Sequence, residues 1–215
     1  MTTKPLEAIA LFDLDATLAD FIQAMEAEML KLAAPNEDPA LWNGSRTKMP
    51  DFIRARRSLI KKSPGFWENL HEVKAGFDVY NLVSELGFEK HILTKGPATS
   101  TNAWTEKVHW CQAHVPDAAV TISQDKGLVY GRILVDDWPD YIMRWLEWRP
   151  RGLVIMLDWP HNQTIEDEDG NEVPFEHPNV FRYMRYRGEG TKSDFAKWTE
   201  QQKQLKERLI EARDR

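Results

Sequence analysis

Two aspartates close the first apolar run of the chain, at a spacing that could do nucleophilic and acid–base chemistry. Asp13 and Asp15 follow the run 8–12, which is typical of a buried strand that stops at polar groups. Residues two apart on a strand share a face, so both carboxylates would lie together. One carboxylate can attack an electrophilic centre, and a second can donate and remove a proton. The pair therefore predicts a site at the end of this strand.

Further polar groups follow later predicted strands at the same kind of position. The carboxyl ends of parallel strands meet at one edge of a sheet, where ligands bind. Clustered carboxylates repel one another unless a cation intervenes, and Mg²⁺ prefers such oxygen ligands. A lysine and a threonine beside that metal suit an anion, most simply a phosphate. These groups are Thr94, Lys95 and Gly96 after one strand, Lys126 after another, and Asp136 with Asp137 after a third.

The elements that would position these groups alternate along the second half of the chain. Strands alternating with helices predict a three-layer α/β fold around a doubly wound, mostly parallel sheet. A final helix follows Thr191 or Ser193, either of which can cap it. The predicted strands span 8–12, 91–94, 119–123, 132–135, 152–157 and 180–183, and the helices among them span 99–114 and 138–148.

One stretch of the first half does not fit this alternation. Apolar residues from Leu18 to Met29 recur at helical spacing, and the segment 36–50 is rich in Pro, Asn and Gly, which predicts a loop. Asp51 can cap a basic helix that runs to about Lys62. We therefore expect a small helical cap inserted into a core domain. The core would comprise residues 1–17 and 88–215, and the cap 18–87, including a return helix near 79–86.

The composition excludes several classes of protein. The net charge is −6 over 215 residues, which argues against a protein that coats nucleic acid. No apolar run approaches the roughly 18 residues of a membrane span, and the N-terminus lacks the pattern of a signal peptide, so we expect a cytoplasmic protein with no membrane partner. Cys111 is the single cysteine, which excludes an intrachain disulfide. We expect it to act as a small buried hydrophobe.

Seven short segments together carry a family resemblance, which runs from about residue 8 to 163. They resemble the haloacid dehalogenase-like phosphatases and, within that superfamily, the 5′(3′)-deoxyribonucleotidases. The first motif alone is weak, but four elements in order, each at a strand end, are specific together: the Asp13-Asp15-Thr17 motif, Thr94, Lys126, and Asp136 with Asp137. The segments are DLDATLADF (13–21), PGFWENL (64–70), ILTKGP (92–97), TEKVHW (105–110), QDK (124–126), LVDDWPD (134–140) and HNQ (161–163).

The resemblance implies a two-step phosphoryl transfer. Asp13 would form an aspartyl-phosphate, and Asp15 would protonate the leaving alkoxide and then take a proton from water. Thr94 would hold phosphoryl oxygens, with Lys126 balancing their charge. The implied Mg²⁺ ligands are Asp13, the carbonyl of Asp15 and Asp137, with Asp136 orienting or assisting.

The resemblance also implies a (deoxy)ribonucleoside monophosphate as the small-molecule substrate. Phe21, Phe66 and Trp67 would form a wall on which the base stacks, although Phe21 at helical spacing could instead be core. Gly96 would contact the substrate, and Lys95 would either add affinity for the phosphate or point to solvent. A cap over the site would exclude nucleic-acid polymers. The base preference, the choice between deoxy and ribo sugars, and a homodimer are left open.

Three positions depart from the pattern of the family. Ala16 stands where glycine is usual, Gln124 where arginine is frequent, and Lys95 where a small hydroxyl residue is usual. Two alternatives therefore stay open: the same chemistry on another small phosphate, such as a sugar phosphate, or a catalytically idle binding protein on the same scaffold. Asp13 and Asp15 argue against the idle protein, because binding alone needs no acid–base carboxylate.

Several other residues have ordinary structural interpretations. We assign Glu106 and Lys107 to a helix surface, and Asp137 could also cap the helix that begins at Trp138. His161 could edge the site or simply lie in a loop. The basic helix is either a solvated face or a surface that steers anions towards the site; its arginines are Arg54, Arg56 and Arg57.

The acidic segment 166–172 does not form a calcium-binding EF-hand, because the first ligand position falls on Ile165. Asp169 and Gly170 predict a hairpin turn there instead. Tryptophans on helix faces are predicted to pack in the core. They are Trp104, Trp110, Trp145, Trp148 and Trp198.

Overall fold

The computed structural model describes residues 8–42, 49–97, 100–167, 169–186 and 190–215. Within those ranges the chain forms eight strands and six α-helices. The strands are β1 (Ile9–Phe12), β2 (Glu89–Thr94), β3 (Ala119–Ile122), β4 (Ile133–Val135), β5 (Leu153–Leu157), β6 (Thr164–Glu166), β7 (Glu172–Pro174) and β8 (Val180–Tyr183). The helices are α1 (Phe21–Lys31), α2 (Asp51–Lys62), α3 (Lys74–Glu85), α4 (Thr101–His114), α5 (Pro139–Trp148) and α6 (Lys192–Asp214).

Six of the strands form one parallel sheet in the order β3-β2-β1-β4-β5-β8. The chain moves outward from β1 through β2 to β3 and then crosses to β4 on the other side of β1. The order therefore reverses between β1 and β4, and ligands of such sheets bind at the carboxyl ends of the strands where the order reverses. The predicted doubly wound α/β fold is confirmed.

The sheet is covered on both faces, which gives three layers. Neighbouring residues of a strand point to opposite faces, so Phe12 packs with α3, α4 and α6 while Leu11 packs with α5. Trp110 on α4 and Trp145 on α5 are fully buried, one on each face. Cys111 is also buried, as predicted, and burial raises the pKa of its thiol to about 12.

The segment before α3 has a hydrophobic core of its own. Met25 and Met29 of α1 pack against Trp42 and against Ile53 and Ile60 of α2. The return helix α3 differs, because its buried side chains belong to the core of the sheet. The division into a core of 1–17 and 88–215 and a cap of 18–87 stays a prediction. Residues 43–48, which include Arg46 and Lys48, lie outside the described residues.

The arginines of α2 are engaged with the rest of the cap. Arg56 forms an ion pair with Glu37 at 2.6 Å, and Arg54 pairs with Asp51. Arg57 donates to the carbonyl of Trp42 at 2.8 Å. The three arginines of α2 therefore have partners within the segment before α3. Steering of anions by this surface stays a prediction.

Several boundaries differ from the predictions by one or two residues. Asp51 is the first residue of α2 and makes no cap, because Pro50 occupies the cap position. Trp138, not Asp137, precedes α5, so the alternative role of Asp137 as a cap was wrong. Trp148 is 62% exposed, contrary to the core prediction, because it ends α5.

The hairpin β6–β7 is antiparallel, and Gly170 in its turn has φ +80°, which agrees with the predicted turn. Thr191 caps α6 as predicted by accepting from the N–H of Asp194. Glu168, within the acidic segment, and Thr99, at the predicted start of α4, lie outside the described residues. Among the described helices, none is long and apolar enough to cross a membrane.

Candidate active site

Three buried aspartates meet where the order of the sheet reverses. Asp13 follows β1, and Asp136 and Asp137 follow β4. The N–H of Asp13 donates to Val135 O at 2.8 Å, which extends the pairing of β1 and β4 to the site. One carboxylate oxygen from each aspartate lies within 4.8 Å of the other two. All three side chains are nearly inaccessible to solvent.

Lys126 supplies one positive charge to this cluster. Its Nζ lies 2.8 Å from Asp13 Oδ1 and 2.6 Å from Asp136 Oδ2. Burial alone would lower the pKa of Lys126, but the two carboxylates more than offset that, so the ammonium stays charged. Burial raises the pKa of Asp136 to about 7, although Lys126 opposes the rise. Three carboxylates against one ammonium leave an excess of negative charge.

The donor set therefore suits a divalent cation. Hard oxygen ligands at close range are what Mg²⁺ takes in proteins. Burial raises the pKa of Asp137. His161 Nε2 lies 2.7 Å from Asp137 Oδ2 and partly offsets this rise. Asp13, Asp136 and Asp137 could hold the metal, whereas the side chain of Asp15 points elsewhere.

Asp15 is paired with Lys107, which sequence reasoning had placed on a helix surface. That assignment was wrong: Lys107 is fully buried, and its Nζ lies 2.6 Å from Asp15 Oδ2. The same ammonium donates to Thr94 Oγ1 at 3.1 Å and to Lys95 O at 3.0 Å. Burial raises the pKa of Asp15, and Lys107 opposes that rise. Asp15 Oδ1 is buried and has no hydrogen-bond partner among the described residues.

The surface assignment of Glu106 was also wrong. The side chain of Glu106 accepts from the N–H groups of Gly65 and Trp67 at 2.9 and 3.0 Å. A signal for Lys107 was present in the sequence, because it lies four residues from both Ala103 and Cys111 and therefore shares their helix face. The prediction that Glu106 and Lys107 lie on the helix surface rested on their charge and not on this spacing.

The three predicted wall residues pack against one another. The rings of Phe21 and Trp67 are stacked with centroids 5.3 Å apart, and Phe66 meets both edge-on. Trp67 is only 3% exposed, and its Nε1 donates to Lys61 O. Lys107 Nζ lies 4.6 Å from the centroid of the Trp67 ring. The structure therefore places the aromatic cluster directly beside the Asp15–Lys107 pair.

Lys95 and Gly96 lie at the end of β2 beside the same site. Lys95 Nζ and Lys126 Nζ each lie 4.9 Å from the centroid of the Tyr141 ring. Gln124 donates to the carbonyl of Gly96. A Cβ on Gly96 would lie 2.2 Å from the Trp104 ring, so only glycine permits this close approach.

The loop after β5 supports the clustered aspartates, a role that sequence reasoning did not assign. Asn162 is buried and donates to the carbonyl of Asp137 at 3.0 Å. Trp159 Nε1 donates to Ala16 O at 2.8 Å. Ala16 itself has φ +58°, in the left-handed region that favours glycine. His161, beside Asp137, lies at the site and not in a detached loop.

The model of the family described as "5′ nucleotidase, deoxy (Pyrimidine), cytosolic type C protein" matches residues 7–173. The Bordetella bronchiseptica and Bordetella pertussis proteins named "Putative 5′(3′)-deoxyribonucleotidase" are each 26% identical over 167 residues, which cover 74% of this chain and 88% of each relative. A solved HAD family hydrolase from Deinococcus radiodurans is 10% identical with a TM-score of 0.44, covering 72% of this chain and 82% of that one. We assign the fold from the order of the strands in the sheet.

Proposed function

This chain belongs to the family of 5′ nucleotidase, deoxy (pyrimidine), cytosolic type C proteins, and from that premise we propose that it is a Mg²⁺-dependent phosphomonoesterase of nucleoside monophosphates. Hydrolysis of the nucleotidase or phosphatase type follows from the family and its relatives. The metal, the substrate and the mechanism are the proposal. The observation that carries it is the buried cluster of Asp13, Asp136 and Asp137 beside the Asp15–Lys107 pair.

The first step uses Asp13 as the nucleophile. Its carboxylate oxygen attacks phosphorus, the bond between phosphorus and the ester oxygen breaks, and an aspartyl-phosphate forms. Lys126, charged and 2.8 Å from Asp13 Oδ1, orients the carboxylate and offsets the charge of the incoming phosphate. A Mg²⁺ held by Asp13, Asp136 and Asp137 would neutralise charge on the phosphoryl oxygens and fix their orientation.

Asp15 carries the proton in both steps. In the first it protonates the leaving ester oxygen, and in the second it takes a proton from the water that attacks phosphorus and releases Asp13 and phosphate. A raised pKa, caused by burial, suits a carboxyl group that must hold a proton before it gives it away. Lys107 fixes one oxygen of this group and leaves Oδ1 without a protein partner in the described residues.

The base would contact Phe21 and Phe66, which are partly exposed. Trp67 is a poorer candidate for direct stacking, because its ring is already covered by Phe21 and lies against Lys107. Replacing Trp67 would also remove core packing, so a Trp67 variant would not isolate base binding. The substrate wall is therefore Phe66 and Phe21, with Trp67 behind them.

Phe66→Ala tests the substrate class. Stacking of one base on an aromatic ring contributes about 1–3 kcal/mol. We therefore expect kcat/KM for a deoxyribonucleoside monophosphate to fall by roughly 5–150-fold, while kcat/KM for 2-deoxyribose 5-phosphate stays nearly unchanged. Phe195→Ala, which removes a half-exposed ring on α6, should change neither. Equal losses on both substrates would instead favour a phosphatase of a baseless compound such as a sugar phosphate.

The family description names a cytosolic type, which supports the proposed cytoplasmic location. A cap over the carboxyl ends of the strands would limit access to the site. It therefore supports free mononucleotides, and not nucleic-acid polymers, as substrates. A homodimer stays a prediction.

A further inference from the structure

Glu106 lies on α4, yet both of its carboxylate oxygens accept hydrogen bonds from the backbone of the segment 65–67. Oε1 accepts from Gly65 N–H at 2.9 Å, and Oε2 accepts from Trp67 N–H at 3.0 Å. The side chain is only 7% exposed. Hydrogen bonds to an ionised acceptor are roughly twice as strong as neutral ones. One buried side chain of the core thus ties down the backbone on both sides of Phe66.

Few local alternatives exist for these two backbone groups. Gly65 has φ +81°, so the chain turns sharply here and does not continue α2. A backbone N–H group shielded from water needs an acceptor, and for half-buried Gly65 and buried Trp67 that acceptor is Glu106. Without the carboxylate, these two N–H groups would lose their acceptor on α4, although α4 still contacts the neighbouring Glu68 and Leu70.

The held segment carries the aromatic cluster, and the next residue of α4 carries the chemistry. Trp67 stacks on Phe21 and lies against Lys107. Lys107 in turn binds Asp15 at 2.6 Å. Adjacent residues of one helix therefore hold the two halves of the site, the aromatic wall and the proton-carrying carboxyl group.

We propose that Glu106 is a positioning residue that fixes the segment 65–67 over the site and so sets the preference for phosphates that carry a base. This inference rests on the proposed nucleotidase function, because it assumes that Phe66 contacts the base. Glu106 touches neither the phosphate site nor the three clustered aspartates in these contacts. Its effect should therefore fall on base recognition and not on phosphoryl transfer.

Glu106→Gln is the direct test, since glutamine keeps the size but turns an NH₂ group towards one of the two N–H donors. We expect KM for a deoxyribonucleoside monophosphate to rise about tenfold with kcat within twofold, which corresponds to about 1.4 kcal/mol of binding. Activity on 2-deoxyribose 5-phosphate should be unchanged. The matched control is Glu37→Gln, which removes a carboxylate that joins Trp42 and Arg56 within the cap and should change neither substrate.

Hydrogen exchange of the peptide that spans 65–70 supplies a readout that needs no substrate. Its amides should exchange faster in Glu106→Gln than in the wild type, and not in Glu37→Gln. If Glu106→Gln does not fold, Glu106→Asp retains the charge but is too short to reach both N–H groups, and the same acceleration is expected.

Unchanged exchange, or equal losses of activity on the two substrates, would overturn the role of Glu106. A wild-type enzyme that shows no preference for the nucleotide over 2-deoxyribose 5-phosphate would instead overturn the proposed function. In that case the exchange measurement still decides whether Glu106 anchors the segment.

Discussion

Asp15 and Lys107 form the pair on which the proposed proton transfer depends. The side chain of Asp15 is partly buried, which raises its pKa, and Lys107 at 2.6 Å is the partner that fixes its orientation. Because the same ammonium also donates to Thr94 Oγ1, it holds both of the groups that the proposal places beside the phosphate. Lys107 is therefore the residue through which the helix α4 positions the chemistry.

Lys107→Met should lower kcat on every substrate. A hydrogen bond to a charged group contributes about 1.5–3 kcal/mol, and a loss of that size corresponds to a fall in kcat of roughly 10–150-fold. Steady-state kinetics on a nucleotide and on 2-deoxyribose 5-phosphate would measure it. The control is Lys90→Met, another buried lysine, which pairs with Asp117 away from the site and should alter stability alone. A loss confined to the nucleotide would contradict this role.

Single residues also show where sequence reasoning succeeds and fails. Asp13, Thr94, Lys126 and Asp136 were predicted to converge because each lies at or beyond the end of a strand, and the structure does bring Asp13, Lys126 and Asp136 together. Glu106 and Lys107 were missed because a charged residue on a helix is usually solvated. Their partners, the segment 65–67 and Asp15, are distant in sequence, so the spacing of Lys107 from Ala103 and Cys111 indicates a buried face but not what Lys107 binds there.

At the scale of elements, the segment from α1 to α2 is held together by polar contacts as well as by its apolar core. Glu37 accepts from Arg56 and from Trp42 Nε1, which ties the loop after α1 to α2. The hydrogen bond from Arg56 is the main reason that the pKa of Glu37 falls from 4.5 to about 2. The sequence predicted α1 and α2 from their apolar spacing but gave no indication of this link, which joins residues 19 apart.

The contribution of Glu37 to stability should depend on pH. Its pKa is lower in the folded state, so the stabilisation is fully present above about 4.5 and is lost as pH falls towards about 2. Urea unfolding of the wild type and of Glu37→Gln should therefore differ at pH 6 and differ less at pH 3. A difference that grows on acidification would show that the ion pair is not the cause.

At the scale of the whole molecule, the topology explains why distant motifs meet. β1 lies at the centre of the sheet and β4 beside it, so Asp13 and Asp136 come together although more than a hundred residues separate them. Alternating strands and helices predict this sheet. Periodicity does not contain the order of the strands, which comes from the structure. The helical spacing of α3 also did not show that this helix packs on the sheet and not within the predicted cap.

The most direct test of the account is phosphate release from a deoxyribonucleoside monophosphate by the wild type and by Asp13→Asn, each with Mg²⁺ and after exhaustive chelation. We predict release by the wild type with Mg²⁺, loss of that activity with EDTA and its return on adding Mg²⁺, because three buried carboxylates need a cation to hold a phosphate. Asp13→Asn should fold, as thermal unfolding would show, but release no phosphate, since an amide is not a nucleophile. Phosphate release by folded Asp13→Asn, or by the fully chelated wild type, would contradict the account.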